Sequence, residues 1–452
     1  MFSPWLVRLD ATNKPLLCML CSLYLHIPFC RHRCAYCDFN TYAGQEDIIP
    51  VYVDALCNEI QVVGGRNDGG FSPISIHTVF FGGGTPSLLT PAQFESILSA
   101  VRANFELRPE VEITIEANPG TVGLDDLRQL RSLGINRISF GVQSANTEEL
   151  RMLEREHSFF DVIRAVEWAR KAGFDNLNLD LIYGLPEQEL ASWQTTVKRA
   201  VELRPEHLSL YALTLEHGTP FGRWAARGLL PLPDPDLAAD MYEWAGDFLA
   251  SQGFEQYEIS NWALHGRSDS ARIAGGDAGP LTLDAQPRYA CRHNLQYWRG
   301  LPYLGLGAGA HGYAASIRYS NVLRIRSYIE RLNAEQRSSS GESESRSLAF
   351  PLTPATVNQH RNTAREDMDE FMLTGLRLTH EGVSAEEFRT RFECGLDEVY
   401  GIEIQRLVSL GLLECMVVKP SQGRNPYAAE MRVRLTRRGR LLGNQVFIAF
   451  VR

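Results

Sequence analysis

The 452-residue chain lacks several features that would otherwise place it. No uninterrupted apolar run approaches the ~18 residues that suggest a membrane-spanning helix, so none is expected. There is no excess of basic residues: 45 Lys and Arg stand against 54 Asp and Glu, a formal net charge of -9. That balance argues against a general nucleic-acid or anionic-membrane surface, though it leaves room for a local basic patch. The nine cysteines follow no regular framework, which argues against a disulfide scaffold and for a reducing compartment, with the cytoplasm as the expected location. Residues Met1 to Cys21 show no basic start, apolar run and small-residue cleavage site, so no secretory signal is expected. The remaining composition, 44% hydrophobic and 22% charged, is that of a soluble globular protein. The length suits one domain of barrel size and a smaller one.

What is present is a cysteine trio. The stretch Tyr24-Leu-His-Ile-Pro-Phe-Cys30-Arg-His-Arg-Cys34-Ala-Tyr-Cys37 puts CxxxCxxC directly after an apolar, alternating run that reads as a strand. Three thiolates aimed at one point do not complete a four-coordinate zinc site, and no nearby Cys or His at customary spacing supplies a fourth ligand. A [4Fe-4S] cluster with one open iron is the better match. In this arrangement the open iron is where S-adenosylmethionine chelates, and the protein must bind, orient and shield it. The competing reading, cysteines packed in a core or a partial zinc site, sits poorly with Arg31, His32 and Arg33 between the thiols. Upstream, Cys18 and Cys21 read either as packing residues or as a redox or metal pair.

From Ser22 to about Ala212 short β-rich runs alternate with longer helical patterns, the mark of repeated βα units on a parallel sheet. Strands are expected at 23–27, 77–81, 111–116, 137–141, 177–182 and 207–213, with helices near 51–62, 91–101, 124–133, 161–171 and 190–203. Six units make an α/β fold with an open or partial barrel, whose chemistry belongs at the C-terminal ends of the strands. Polar or glycine-rich residues recur at that edge: Gly82-Gly83-Gly84-Thr85-Pro86, Glu116, Gln143 and Asp180. The glycines permit close backbone approach to a ligand, or simply a tight turn. A carboxylate at 116 suits ribose hydroxyls or a solvated strand end, and Gln143 and Asp180 read similarly. Arg155 reads as a carboxylate partner or an exposed helix-end residue.

The second half is less regular. A loop at 214–220, a helix at 237–250 and a strand over 254–262 precede a Gly-, Ala-, Ser- and Asp-rich stretch that reads as a flexible insertion, 263–287. Next comes Cys291-Arg-His293-Asn-Leu-Gln-Tyr-Trp298. A His beside a Tyr and a Trp offers an imidazole for haem iron and flat partners for a porphyrin face, with Arg288 and Arg292 for propionates; a hydrogen-bonded structural His is the alternative. It is not the CxxCH of covalent haem attachment. Residues 304–312 read as a glycine-rich turn without a dinucleotide fingerprint. The run 336–365 reads as a low-complexity linker. A second domain, 366–452, follows, with helices at 366–378 and 396–410 and a hairpin at 412–418 and 431–435. Its basic run, Arg432, Arg434, Arg437, Arg438 and Arg440, reads as a solvated face or a cover over the barrel rather than a nucleic-acid site.

The string YLHIPFCxxxCxYC resembles the radical SAM superfamily, in the branch of oxygen-independent coproporphyrinogen oxidases and their relatives, and HNxxYW resembles its HemW-type haem chaperones. The oxidases usually continue CxxxCxxCxC, whereas Phe39 stands where their extra cysteine would be. The resemblance implies a partial (β/α)6 radical SAM barrel over 22–262, after an N-terminal extension, 1–21. A haem-binding segment and barrel cover follow over 288–335, and then a winged-helix-like C-terminal domain. It implies Cys30, Cys34 and Cys37 as cluster ligands, and Tyr24, Tyr36, Gly83, Gly84, Thr85, Glu116, Gln143, Arg155 and Asp180 at one or two S-adenosylmethionine molecules. It implies haem as cargo at His293, Asn294, Tyr297 and Trp298. The function expected is a haem chaperone serving respiratory proteins, without an integral membrane segment. The alternative is an oxygen-independent coproporphyrinogen III dehydrogenase that makes protoporphyrinogen by radical decarboxylation. Radical modification of tRNA fits less well, for want of a basic RNA module.

Overall fold

In a computed structural model of the chain, residues 6–8, 17–65, 74–265, 286–338, 348–418 and 430–451 are described. Six strands carry the first half: β1 (Leu17–Ile27), β2 (Ser75–Gly83), β3 (Glu106–Ala117), β4 (Arg137–Gln143), β5 (Leu177–Tyr183) and β6 (His207–Ala212). They pair in parallel in sequence order. Helices α1 (Ile49–Gly64), α2 (Pro91–Asn104), α3 (Leu124–Ser132), α4 (Phe159–Lys171) and α5 (Leu190–Glu202) connect them on the outside. The helix starts are written locally. Thr90 and Gln93 form a capping box with Pro91 in the first turn of α2, and Ser158 with Asp161 does the same for α4.

The strands alternate, and that alternation decides the architecture. Leu23, Leu25 and Ile27, Val79 and Phe81, Ile113 and Ile115, Ile138 and Phe140, and Leu179 and Leu181 all join one apolar core under the helices. The residues between them face inward and, apart from Phe80, carry polar groups: Tyr24, His26, Thr114, Ser139 and Asp180. Thr78 donates to Ser22 at 2.6 Å, and Asn178 joins Ser139 at 2.7 Å and His207 at 2.6 Å. A parallel sheet covered on both faces reads as continuous apolar runs; here a hydrogen-bonded polar interior replaces the second apolar face.

The sheet extends further than the sequence pattern indicates. The single strand expected over 254–262 is a hairpin, β7 (Phe254–Glu258) and β8 (Asn261–Leu264), and β8 adds antiparallel to β6. The first part of the expected insertion is therefore strand, and residues 266–285 lie outside the described residues. The expected glycine-rich turn opens with β9 (Tyr303–Leu306), which lies parallel to β1. It leads into β10 (His311–Ala314), β11 (Ile317–Asn321) and β12 (Thr356–Arg361), all antiparallel. Part of the expected 336–365 linker is thus the edge strand β12; it was obscured because this polar edge has no apolar alternation to display. Likewise β1 begins inside the expected N-terminal extension and carries Cys21 into the core, where burial pushes its thiol up to about 12. Cys21 is a packing residue; the Cys18 side chain lies outside the described residues.

The C-terminal unit closes a separate apolar core around Phe371, Phe388, Tyr400 and Val433. Besides the two expected helices it holds Ala385–Phe392 and the short strand Val383–Ser384, which completes a three-stranded sheet. Its arginines are spent on neighbours. Arg432 pairs with Glu430 and Arg434 with Glu414, and Arg438 donates to the Leu410 carbonyl. Arg437 reaches Glu243 and Asp247, and Arg440 reaches Gln256, both on the barrel side.

Candidate functional site

Past Ile27 the chain leaves β1 and carries Cys30, Cys34 and Cys37 across the C-terminal rim of the barrel. The glycine motif at the end of β2 holds it there: Gly84 N–H donates to Ile27 O at 2.9 Å and Thr85 N–H to Phe29 O at 2.7 Å. Gly83 has φ of +111°, and a Cβ there would stand 2.4 Å from the His26 ring, so only glycine fits. Its N–H donates to Glu116 Oε2 at 3.0 Å. The N–H groups of Gly83, Gly84 and Thr85 are therefore all engaged within the protein. What this turn can still offer a ligand is carbonyl oxygen, which suits an ammonium group better than a carboxylate.

The three thiols line one cavity of about 460 Å3. Among the described residues no three His, Cys, Asp or Glu side chains converge on a single ion. The thiols are close enough to feel one another's charge, Cys30 that of Cys34 and Cys37, and Cys37 that of Cys34. Thr85 Oγ1 lies 3.5 Å from Cys30 Sγ and Arg155 Nη1 lies 3.7 Å from Cys34 Sγ, while Cys37 Sγ approaches Thr41 Oγ1 at 4.0 Å. Burial raises the Cys30 and Cys37 thiols in the bare chain, so these nearby donors are what favours a thiolate there.

Of the residues expected around S-adenosylmethionine, Tyr36, Gly83, Gly84, Thr85, Glu116, Gln143, Arg155 and Asp180 line this same cavity. They come from five successive strands or the segments after them: Tyr36 after β1, Gly83, Gly84 and Thr85 at the end of β2, Glu116 on β3, Gln143 and Arg155 at and after the end of β4, and Asp180 on β5. Glu116 is no solvated strand end: burial first, then the charge of Asp180, pushes its carboxyl up to about 7, against the Gly83 N–H and the Arg137 charge. Asp180 is also raised by burial, although Ser139 at 2.7 Å and Asn178 at 2.8 Å donate to it. Gln143 has φ of +67° where the β4–β5 register shifts. Arg155 is no exposed helix-end residue. It donates to Gly141 O at 2.9 Å and to Asn118 Oδ1, and it stands beside Tyr36.

Tyr24 is the exception. Its hydroxyl meets His26 Nδ1 at 2.9 Å, and its ring lines a different cavity. Several lining residues escape a reading of the sequence: Asn118, Ser139, Tyr211 and Glu216. Asn118 and Ser139 could have been found by carrying the strand-end rule one or two residues to either side of Glu116 and Gly141.

The second cavity, about 590 Å3, continues the inner face of the sheet beyond β1 onto β9, β10 and β11. Asp38 and Phe39 border both cavities, and Phe39 is 63% exposed. The HNxxYW stretch of the expected haem-binding segment is a short helix, α6 (Arg292–Trp298). Its first turn sits on Glu112, which accepts from the backbone N–H groups of Arg292 and His293, both at 3.2 Å. Tyr297 and Trp298 reach the second cavity, whereas Asn294 is half-buried on the helix and does not line it.

His293 does not reach it either. It is 1% exposed, its Nδ1 bonds Thr78 Oγ1 at 2.7 Å, and its Nε2 bonds Tyr297 OH at 2.8 Å. Burial lowers its pKa to about 3, so the ring is neutral, and it stacks on Phe80 at 5.0 Å. The expected iron ligand is in this structure a saturated interior residue. Arg292 is not free for a propionate, since it donates to the His77 and Glu110 carbonyls. Arg288 stacks on Tyr289.

Known proteins resemble the chain at both levels. The radical SAM superfamily model matches residues 24–200, and the HemN C-terminal domain model matches residues 362–415. The heme chaperone HemW of Lactococcus lactis subsp. lactis is 34% identical across 95% of this chain and 97% of its own length. That of Bacillus subtilis is 34% identical across 95% and 99%, and that of Escherichia coli 39% across 64% and 69%. Among solved structures, coproporphyrinogen III oxidase (HemN) from Escherichia coli, described as a radical SAM enzyme, shares the fold: TM-score 0.71 at 24% identity, covering 95% of this chain and 89% of that one.

Proposed function

The chain belongs to the radical SAM superfamily, whose cofactors are a [4Fe-4S] cluster and S-adenosylmethionine, and within it to the HemW family of haem chaperones; on that premise we propose that it binds haem as cargo and delivers it to haem-requiring respiratory proteins in the cytoplasm. The observation that carries the reading is the second cavity. It is large enough for a flat cofactor and walled by Tyr24, Tyr297, Trp298, Tyr303 and Tyr313, and it shares Phe39 with the cavity of the cysteines. Two sites, one built of thiols and carboxylates and the other of aromatic rings, sit side by side.

Cys30, Cys34 and Cys37 would hold the cluster, which when bound supplies an electron able to break a sulfonium C–S bond. The chain's own groups do the rest. Thr85 and Arg155 place a hydroxyl and a positive charge beside sulfur, which steadies thiolate ligands. Glu116 and Asp180 would accept hydrogen bonds from ribose hydroxyls, and the carbonyls of the glycine turn would take an ammonium. Phe39, on the border between the cavities, shields each from the other.

The test is anaerobic and uses one reconstituted sample for two measurements, haem stoichiometry and porphyrinogen turnover. Near-stoichiometric haem with no protoporphyrinogen is expected. Protoporphyrinogen formation would replace the chaperone reading with that of a coproporphyrinogen III dehydrogenase.

A further inference from the structure

Three imidazoles lie on or just behind the wall of the second cavity, and they differ in what their nitrogens are doing. His293 is bonded at both, to Thr78 and Tyr297. His26 is also bonded at both, to Tyr24 OH at 2.9 Å and Asn40 O at 3.0 Å. His311 is exposed and lines the cavity, and its ring makes no hydrogen bond among the described residues. We infer that His311 supplies the iron ligand for haem bound in this cavity, with Tyr297 and Trp298 of the HNxxYW helix as flat wall partners rather than as neighbours of a ligating His293; the inference rests on the haem-chaperone reading above.

The strand geometry supports it. His311 opens β10 and stands two residues before Tyr313, so both side chains leave the same face. Tyr313 pairs across the sheet with Tyr303 on one side and Arg318 on the other. Tyr297 meets Tyr303 edge-on at 4.6 Å, and the Arg318 guanidinium stacks 4.7 Å from the Tyr313 ring. The imidazole therefore stands at the rim of an aromatic floor. A second feature points to a ligand: Trp298 lines the cavity, and its buried indole N–H has no acceptor among the described residues. The volume, about 590 Å3, lies in the range of cofactor sites. Ligation needs only a lone pair from a neutral ring nitrogen, so no buried hydrogen bond has to be given up. At His293 the ligating nitrogen would first have to give up a buried hydrogen bond, to Thr78 or to Tyr297.

The experiment titrates ferric haem into cluster-loaded, full-length wild type, His311→Ala and His293→Ala, following affinity and the absorption and EPR spectra. Iron content and melting temperature are recorded for each protein. His311→Ala should weaken binding roughly tenfold or more and lose the histidine-ligated spectrum, and added imidazole should restore it. His293→Ala should keep that spectrum even where its melting temperature falls. If His311→Ala fails to load its cluster, His311→Gln is read instead. A wild-type spectrum and affinity in the His311 variant overturn the assignment, as does loss of the ligated spectrum in His293→Ala alone. No haem uptake by wild type would sink the chaperone reading itself, an outcome distinct from loss confined to either variant.

Discussion

The two cavities bordered by Phe39 are built by opposite means. The cavity of the cysteines draws one or two polar groups from the end of each of several parallel strands: Thr85, Glu116, Gln143 and Asp180 are far apart in sequence and alike in position. The neighbouring cavity is walled by rings from the antiparallel extension of the sheet and from one short helix. A parallel barrel delivers chemistry by a positional rule, since every strand end opens on the same rim. An aromatic pocket follows no such rule, because its residues are the ones that also make cores.

Removing a cluster thiol gives the largest effect expected and tests whether the two sites are independent. Cys34→Ala should lower bound iron to background and abolish the visible absorption of the reconstituted protein, while haem affinity stays within about threefold of wild type. A parallel fall in haem binding would show that the sites are one. Gly83→Ala attacks the point where they touch, because its new methyl group would enter the His26 ring. A destabilisation of about 3 kcal/mol in denaturant titration is expected, with both cavities affected.

Glu116→Gln sharpens the contrast by acting on one cavity only. On the role proposed for Glu116 at the ribose hydroxyls, the substitution should weaken S-adenosylmethionine about tenfold and leave haem titrations unchanged. The bare chain also makes a prediction about pH. With the Glu116 carboxyl raised from its ordinary 4.5 to about 7, the folded state between those values holds a proton that the unfolded state has released. This contribution to stability is full below about 4.5 and is lost as pH rises through about 7. The groups facing it are Asp180, Arg137, the Gly83 N–H and the Tyr24, Tyr211 and Tyr297 phenols. Wild type should therefore lose melting temperature relative to Glu116→Gln between pH 5 and pH 7.5 (both values approximate), and a constant difference would refute the assignment.

The smallest effect is reserved for a remote contact. Arg437→Ala removes exposed ion pairs to Glu243 and Asp247 and should cost less than ~1 kcal/mol without altering either ligand.

The difference between the cavities also explains what could be read from the sequence. The parallel strands and their helices were legible to within a few residues at most ends, because one face of each strand is apolar and the helices carry caps such as Thr90 and Ser158. Glycine, carboxylate and thiol at strand ends then indicated the cluster cavity. Tyr24, on β1 itself, lines the second cavity with its hydroxyl on His26, a placement that the strand-end rule does not reveal. The strands β9 to β12 were obscured by glycine at 305 and 307 and by a polar edge. HNxxYW led to the helix beside the second cavity, but the motif does not reveal that Thr78, more than 200 positions away, bonds His293, nor that His311, in a glycine-rich run, lines that cavity.

The seating of α6 has a consequence for the second cavity. Arg292 grips the carbonyls of His77 and Glu110 near the starts of β2 and β3, and Glu112 holds the helix by its first turn. Tyr297 and Trp298 ride on that helix, so widening the second cavity by moving α6 would break four hydrogen bonds.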